Sequence, residues 1–240
     1  MGSLIFQNET CLVINKLPGE SSEFPKIDGG GFDKVFPVHR LDTPVTGCLL
    51  LAKNKEAAAF LGAAFTLPEA GAKKFSEDQS CAQVKKRYWA IIEKSKAVFS
   101  ISPEGTLIHW LHEDKKTNKS FAISAAEKHQ NGSKKLKKSI MRYKLAGQGD
   151  NYLFMEIELV TGRHHQIRAQ LAAKGLHVKG DLKYGAKRSE KQGGIRLHAF
   201  SLAFPNPLCP DEIIRVKTLP PVMDSLWTAF QKTAGVQAES

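Results

Sequence analysis

Short apolar runs, separated by polar stretches rich in glycine and proline, make up the hydrophobic pattern of this chain. Runs of this length predict strands, here in "CLVINK", "GCLLLAK", "RYWAIIE", "YLFMEIELV" and "RLHAFSLAF", with shorter strands in "TLIHWL", "SFAISA" and "IIRVK". The run "GCLLLAK" is apolar throughout, which is typical of a central strand. In "YLFMEIELV" the alternation places Glu156 and Glu158 on the solvent side.

Three segments have helical patterns instead. Asn54 is an N-cap residue before "KEAAAFLGAAF". Thr161 and Gly162 start a second helix, "RHHQIRAQLAAK", which Gly175 ends as its C′ residue. The third helix, "VMDSLWTAFQK", closes the chain. Strands outnumber helices and most links between strands lack a helix, so we expect an α+β fold with a mixed, mostly antiparallel sheet and a few packed helices.

Composition narrows the class of ligand. The chain has 240 residues, 42% of them hydrophobic, and a net charge of +11. Such a charge favours a polyanion, either nucleic acid or an acidic membrane surface. No basic amphipathic helix with a wide apolar face supports the membrane, so nucleic acid is favoured. The four cysteines are scattered and no secretory signal is visible, so we expect a cytoplasmic protein.

Two segments contain the residues expected to carry chemistry, "HRLDTPVTG" and "TGRHHQIRAQL". In the first, Asp42 stands two residues after Arg40 and just before an apolar strand. Burying a carboxylate is costly unless it is paired. An Asp-Thr-Pro sequence is also common in turns where the Asp side chain bonds nearby backbone amides, so a purely structural role is the alternative.

In order along the chain, these segments resemble the RluA-like family of RNA pseudouridine synthases. "ETCLVINKLPGESS", "HRLDTPVTGCLLLAK", "KKRYWAII", "VTGRHHQIRAQLAAKGLHVKGDLKYG" and "RLHAFSLAF" correspond to the family's motifs. The chain departs from the pattern at Val45-Thr46, where Thr-Ser is usual, and at Gln170, where His is common. It also has a longer insertion between Phe65 and Lys85, which could alter substrate choice.

The resemblance implies roles for particular residues. Asp42 would be the nucleophile that forms a covalent adduct with uridine, and Arg168 would pair with it, since a guanidinium keeps a nearby carboxylate ionised. Tyr88 would stack on the target base, and Leu197 would pack beneath it. Whether the adduct forms at the base or at the ribose stays open, and no metal or organic cofactor is implied.

Helical geometry separates the arginines of the second motif. At about 100° per residue, Arg163 and Arg168 would lie roughly 140° apart, whereas His164 and Arg168 would share a face. Arg163 would then bind the loop or a phosphate. We expect the substrate-binding residues to be His39, Arg40, Arg163, His164, Gln166, Leu197 and Lys183. Phosphate contacts are also expected from the Lys134–Lys144 run and from Arg87, Lys179, Lys187 and Arg188.

Other interpretations stay open from the sequence. The chain could be an RNA-binding protein of this fold without activity, or a metal-dependent nuclease or glycosidase, which would need a second acid near Asp42. His109 and His112 could suggest a metal, but on a strand an i, i+3 pair points to opposite faces.

The favoured hypothesis is a single catalytic domain over residues 1–240 with no RNA-binding module ahead of it. It would be a monomer, without an obligate protein partner, acting on structured ribosomal or transfer RNA.

Overall fold

A computed structural model describes residues 1–28, 34–66, 83–95, 101–128 and 135–236. The contacts divide the chain into two compact units, the first formed by residues 1–88 and 198–223 and the second by residues 89–197 and 224–240. The predicted α+β class with a mixed, mostly antiparallel sheet is confirmed. One domain over 1–240 stays a prediction. Most of the Phe65–Lys85 insertion lies outside the described residues.

The sheet of the first unit has the order β1-β2-β4-β11-β12, with β3 also paired to β4. Its strands are β1 (Ser3–Gln7), β2 (Cys11–Lys16), β3 (Phe36–Pro37), β4 (Thr46–Ala52), β11 (Leu197–Asn206) and β12 (Cys209–Lys217). The helix α1 (Lys55–Thr66) follows β4, and the Asn54 side chain caps it by accepting a hydrogen bond from the Ala57 amide. The predicted cap and central strand are therefore present.

Strand β4 is buried along its whole length, as its apolar sequence predicts. It pairs in antiparallel register with β2 and in parallel with β11 through Thr46–Gly47 and His198–Ala199. Gly47 has φ +113, and a Cβ there would lie 2.4 Å from the Ala199 carbonyl oxygen. Only glycine satisfies both conditions. The strand that follows Asp42 is thus fixed against β11 by a close backbone approach.

The second unit contains the sheet β9-β8-β6-β7, with the end of β5 beside β9 and β10 beside β5. The strands are β5 (Lys85–Glu93), β6 (Glu104–Asp114), β7 (Lys119–Ile123), β8 (Lys137–Gln148), β9 (Tyr152–Leu159) and β10 (His177–Val178). Its helices are α2 (Ala125–Lys128), α3 (Gln166–Ala172), a 3₁₀ turn (Leu182–Tyr184) and α4 (Ser225–Thr233). None of the helices described is long and apolar enough to cross a bilayer.

Helix α3 starts later than the sequence predicts. His165 has the left-handed φ of 52, which ends helical geometry on its N-terminal side, so residues 161–165 form a loop and the helix begins at Gln166. Arg163 and His164 therefore precede the helix, and the predicted angles between them and Arg168 around the helix axis were wrong. At the other end α3 stops at Ala172, two residues before the predicted Lys174, but the predicted role of Gly175 is confirmed. Gly175 has φ 68, and the Leu176 amide donates to the Leu171 carbonyl, as in a Schellman motif.

The predicted solvent side of β9 is also wrong at one position. Glu158 is buried, and its carboxylate accepts a hydrogen bond from Arg142 of β8 at 2.5 Å. The pairing of a carboxylate with a guanidinium across neighbouring strands makes this burial tolerable. Alternation along a strand shows which residues share a face but not what covers that face.

Candidate active site

The loop carrying Asp42 lies in the first unit and is held through its backbone. The Ser22 hydroxyl donates to the Leu41 carbonyl at 2.9 Å and accepts from the Leu41 amide at 3.0 Å. One turn further on, the Val45 amide donates to the Asp42 carbonyl. These bonds fix the residues on both sides of Asp42, whose side chain is half-buried. The carboxylate is thus presented by a rigid loop.

The Lys16 side chain also binds the backbone of the Asp42 loop. Its side chain is fully buried, and Nζ donates to the carbonyl oxygens of Leu17 at 2.9 Å, Glu20 at 3.1 Å and Thr43 at 3.1 Å. Desolvation lowers the pKa of Lys16 to about 8, although the charges of Glu20 and Asp42 oppose the shift. No role for Lys16 was predicted from the sequence. A lysine at the end of a strand that begins with four apolar residues, Cys11–Ile14, was the signal for one.

Tyr88 lies near Asp42 within the first unit. The ring is buried at the start of β5, and burial followed by the negative charge of Asp42 raises the pKa of the Tyr88 hydroxyl well above its ordinary value. The phenol is therefore protonated at neutral pH. A protonated tyrosine has a flat apolar face and one O–H donor.

His39 and Arg40 precede Asp42 and differ in their surroundings. The His39 Nε2 accepts a hydrogen bond from the Leu50 amide at 2.9 Å, and its ring stacks on Phe65 with centroids 4.8 Å apart. Desolvation, helped by the charge of Lys86, lowers the pKa of His39 to about 3, so the imidazole is neutral. Its contacts position the loop, and binding of substrate by His39 stays a prediction. The Arg40 side chain is exposed.

Arg168 is the central cation of the second unit. Its guanidinium is 4% exposed and forms two hydrogen bonds with Asp181, from Nε to Oδ2 at 2.7 Å and from Nη2 to Oδ1 at 2.8 Å. Asp181 was not predicted as a partner of Arg168, although the motif containing "GDLKYG" was part of the resemblance. The two bonds do not use Nη1. Pairing of Arg168 with Asp42 would join the two units and stays a prediction.

Tyr184 completes the surroundings of this arginine. The Arg168 guanidinium lies 4.8 Å from the centre of the Tyr184 ring, a cation–π arrangement. The Tyr184 hydroxyl accepts from the Ser120 amide and donates to the Ser120 carbonyl. Because its one proton is used there, His165 Nδ1, 3.0 Å away, is the donor to the same oxygen. The ring is therefore fixed from two sides.

Gln166, Arg163 and His164 make contacts that shape the loop before α3. The Gln166 Oε1 accepts from the Thr161 hydroxyl and the Arg163 amide, and its Nε2 donates to the Ile140 carbonyl. Arg163 is exposed and its Nε donates to the Lys138 carbonyl. His164 Nδ1 lies 2.9 Å from the Ser120 hydroxyl. The Gln166 side chain therefore connects the loop to Ile140 of β8. Substrate binding by these three residues stays a prediction.

The comparisons with known proteins identify the family to which these motifs belong. The sequence profile described as RNA pseudouridylate synthase matches residues 13–173, about two thirds of the chain. The chain belongs to this family. The resemblance to RluA-like enzymes and membership of a family of RNA-modifying isomerases are confirmed at this level.

Individual relatives are moderately similar. An uncharacterized RNA pseudouridine synthase of Zymomonas mobilis is 31% identical over 166 residues, which cover 69% of this chain and 64% of the relative. The tRNA pseudouridine synthase C of Haemophilus ducreyi is 30% identical over 80% of this chain and 74% of its own length. For the dual-specificity RNA pseudouridine synthase RluA of Vibrio parahaemolyticus the identity is 25%, covering 85% and 78%.

A solved structure has the same fold. The human RNA pseudouridylate synthase domain containing 1 superposes with a TM-score of 0.65 at 21% identity, covering 100% of this chain and 97% of the human one. The match supports the α+β architecture. The chain spans 64% of the length of the Zymomonas relative, so its substrates and partners are matters for proposal.

The remaining predicted site residues lie in varied settings. Leu197 is buried at the start of β11. Lys183 is exposed, and its Nζ donates to the carbonyl oxygens of Thr117 and Asn118 in the turn between β6 and β7. Base packing by Leu197 and phosphate binding by Lys183 stay predictions. Lys134, at the start of the predicted basic run, lies outside the described residues.

The histidines that suggested a metal have other contacts. His109 is buried and its Nδ1 lies 3.1 Å from the Gln170 amide nitrogen, whereas the His112 ring stacks on Phe121. The two side chains thus have separate neighbours. Within the part of the chain that the structure describes, no three His, Cys, Asp or Glu side chains converge as a metal site would require.

Proposed function

We propose that the chain converts uridine to pseudouridine in RNA with Asp42 as the nucleophile. The observation that carries the proposal is the fixation of the Asp42 loop through the backbones of Leu41 and Thr43 by Ser22 and Lys16. A nucleophile must stay in place while its own side chain reacts. A loop held by its neighbours' backbones meets that requirement.

The reaction needs no external oxidant or reductant because substrate and product are isomers. A carboxylate oxygen of Asp42 attacks the nucleotide, at the base or at the ribose, and forms a covalent adduct. The bond between N1 and the ribose C1′ breaks, the base turns, and C5 bonds to C1′. N1 gains a proton, C5 loses one, and Asp42 leaves as the carboxylate. The residue is therefore both nucleophile and leaving group.

Tyr88 and Arg168 have supporting roles in this proposal. The uridine must leave its stack, which costs on the order of a few kcal/mol, and stacking on the Tyr88 ring offsets part of that cost. Arg168 would hold the Asp42 carboxylate ionised while the hydrogen bonds from Nε and Nη2 to Asp181 keep the guanidinium in place. A bidentate anchor leaves a guanidinium little rotational freedom, which suits the orientation of a second carboxylate.

The substrate would be ribosomal or transfer RNA. The Haemophilus relative is named for tRNA and the Vibrio relative for dual specificity towards RNA. We also propose a cytoplasmic monomer without an obligate protein partner. Cys11, Cys48 and Cys209 have free thiols, which fits a reducing compartment.

Mapping of pseudouridines in total RNA tests the proposal. Cells that lack the gene should lose one or a few modified positions. Expression of the natural chain, or of a variant with Asp150→Asn in the exposed turn after β8, should restore them, and expression of the Asp42→Asn variant should not. Restoration by the Asp42→Asn variant, or an unchanged map after loss of the gene, would refute the proposed function.

A further inference from the structure

A cavity of about 580 Å³ lies in the second unit, and three of the predicted phosphate contacts, Lys179, Lys187 and Arg188, are among the residues that line it. Its wall is formed by the end of β5, the turn before β9, the segment after β10, the loop 187–192 and the start of α4. Six cationic and three carboxylate side chains line it, namely Lys94, Lys179, Lys187, Arg188, Lys191 and Arg196 with Glu93, Glu190 and Asp224. The lining therefore has an excess of positive charge.

Two of the three carboxylates form ion pairs with cations of the cavity wall. Glu190 pairs with Lys179 and, at 2.7 Å, with Arg196. The second carboxylate is Asp224, which Arg196 contacts at 2.5 Å. Although burial opposes it, the Arg196 hydrogen bond keeps the pKa of Asp224 below its ordinary value. These acids are neutralised within the wall, so they do not repel an anion in the cavity.

The ion pairs also shape the cavity. Glu190 comes from the loop, Lys179 from the segment after β10, and Asp224 from the N-cap of α4, so one network joins three of the walls. Gly180 has φ +89, and a Cβ there would lie 2.8 Å from the Glu190 side chain. The loop therefore fits closely against the chain that follows β10. The cavity is built in advance of any ligand, which lowers the cost of binding.

The rim carries the cations that remain. The side chains of Lys187, Arg188 and Lys191 are exposed and that of Lys94 is half-buried. The third carboxylate, Glu93, accepts a hydrogen bond from the Lys187 backbone amide at 3.0 Å. The site is concave, has four cations at its rim and is lined mainly by polar and charged residues. These features favour binding of a phosphate group over binding of an apolar small molecule.

We propose that this cavity binds the phosphodiester backbone of the substrate RNA, with Lys187 and Arg188 as its principal contacts. The inference rests on RNA as the substrate, which family membership implies. Lys179, which the sequence analysis grouped with these two residues, is paired with Glu190 in the wall and acts on the shape of the site. Contacts of this kind add affinity and register without reading the sequence.

The test is the salt dependence of RNA binding. A Lys187→Gln/Arg188→Gln variant is compared with an Arg215→Gln/Lys217→Gln variant, which removes the same two charges from exposed positions on β12. With a labelled RNA of about 20 nucleotides that contains the target uridine, the first variant should bind about tenfold more weakly at 0.1 M KCl. Its slope of log Kd against log salt should fall by roughly 1.4 to 1.8. The control should behave as the natural chain.

Two further arms complete the test. If the double variant does not fold, Lys191→Glu takes its place. This single substitution at an exposed position should also weaken RNA binding. Inorganic tripolyphosphate serves as a second probe. An unchanged RNA slope overturns the proposal, and so does loss of tripolyphosphate binding with RNA binding intact, which would indicate a site for a free polyphosphate. Binding is measured in the Asp42→Asn background as well, so failure of the catalytic proposal leaves this readout intact.

Discussion

Around Asp42 the first unit holds the backbone, whereas around Arg168 the second unit holds the side chain. The Asp42 loop is fixed at Leu41 and Thr43 by Ser22 and Lys16. Arg168 is fixed at its guanidinium, by two bonds to Asp181 and by the Tyr184 ring. The carboxylate is half-buried and the guanidinium is almost fully buried.

The difference follows from what each group is proposed to do. A nucleophile forms and breaks a bond, so the protein positions it through atoms that do not react. A cation that only stabilises charge can be locked by its own hydrogen bonds, and a locked donor needs no reorganisation when charge develops. Mutations in either unit test this difference, and their expected effects on stability and on catalysis differ in size.

The largest effect should come from Gly47→Ala, which disrupts the strand that carries the Asp42 loop. The added Cβ would meet the Ala199 carbonyl at 2.4 Å in a backbone with φ +113. We expect a loss of more than about 4 kcal/mol in the free energy of unfolding, measured by urea denaturation. Gly62→Ala in α1, where a Cβ meets nothing within 4 Å, is the control and should be neutral or stabilising.

The second-largest effect should come from replacement of Arg168. Arg168→Ala leaves the buried Asp181 carboxylate without its partner and should cost about 3–5 kcal/mol. The double variant Arg168→Met/Asp181→Leu removes both charges and should regain most of that stability. It should not regain pseudouridine formation. Recovery of activity in the double variant would show that Arg168 acts only on the fold.

Lys16→Met tests the buried support of the Asp42 loop. Loss of three donated hydrogen bonds should cost about 2–3 kcal/mol at pH 7. The pKa of Lys16 is about 8 in the folded chain and higher when unfolded, so the unfolded state binds more protons above pH 8 and the natural chain gains stability there. The stability difference between natural chain and variant should therefore widen between about pH 8 and 10.5. A constant difference would contradict the assignment.

Ser22→Ala should have the smallest effect on stability and still change catalysis. It removes both bonds to Leu41 and should cost about 1–2 kcal/mol. Because the bonds orient the loop, we expect kcat to fall severalfold with little change in KM. Ser21→Ala is the matched control, since Ser21 is exposed and bonds only the nearby Glu23 amide among the contacts described. Equal kcat values for the two variants would argue against positioning by Ser22.

Elements set by local sequence could be predicted. The apolar run predicts strand β4, and the side chain of Asn54 predicts the cap of α1. The position of Gly175 is predicted by the freedom of glycine to adopt a positive φ. The start of α3 could not be predicted, because His165 adopts a left-handed conformation and contacts Tyr184, which lies 19 positions further along the chain.

The site divides in the same way. The motifs predicted Asp42, Tyr88 and Arg168 as catalytic residues, but they did not show that Asp181 pairs with the arginine. Asp181 is 13 positions further on and reaches Arg168 only through the turn after β10. Burial of Lys16 under the loop, and of Glu158 against Arg142, likewise depends on which elements pack together. Such pairings are properties of the tertiary structure.

The nucleophilic role of Asp42 is tested most directly by the rate of pseudouridine formation on a mapped RNA, with purified natural chain and with Asp42→Asn. The account predicts a rate at least about a thousandfold lower for the variant, with the melting temperature and the Kd for RNA unchanged. A variant whose rate stays within about tenfold of the natural chain would contradict it.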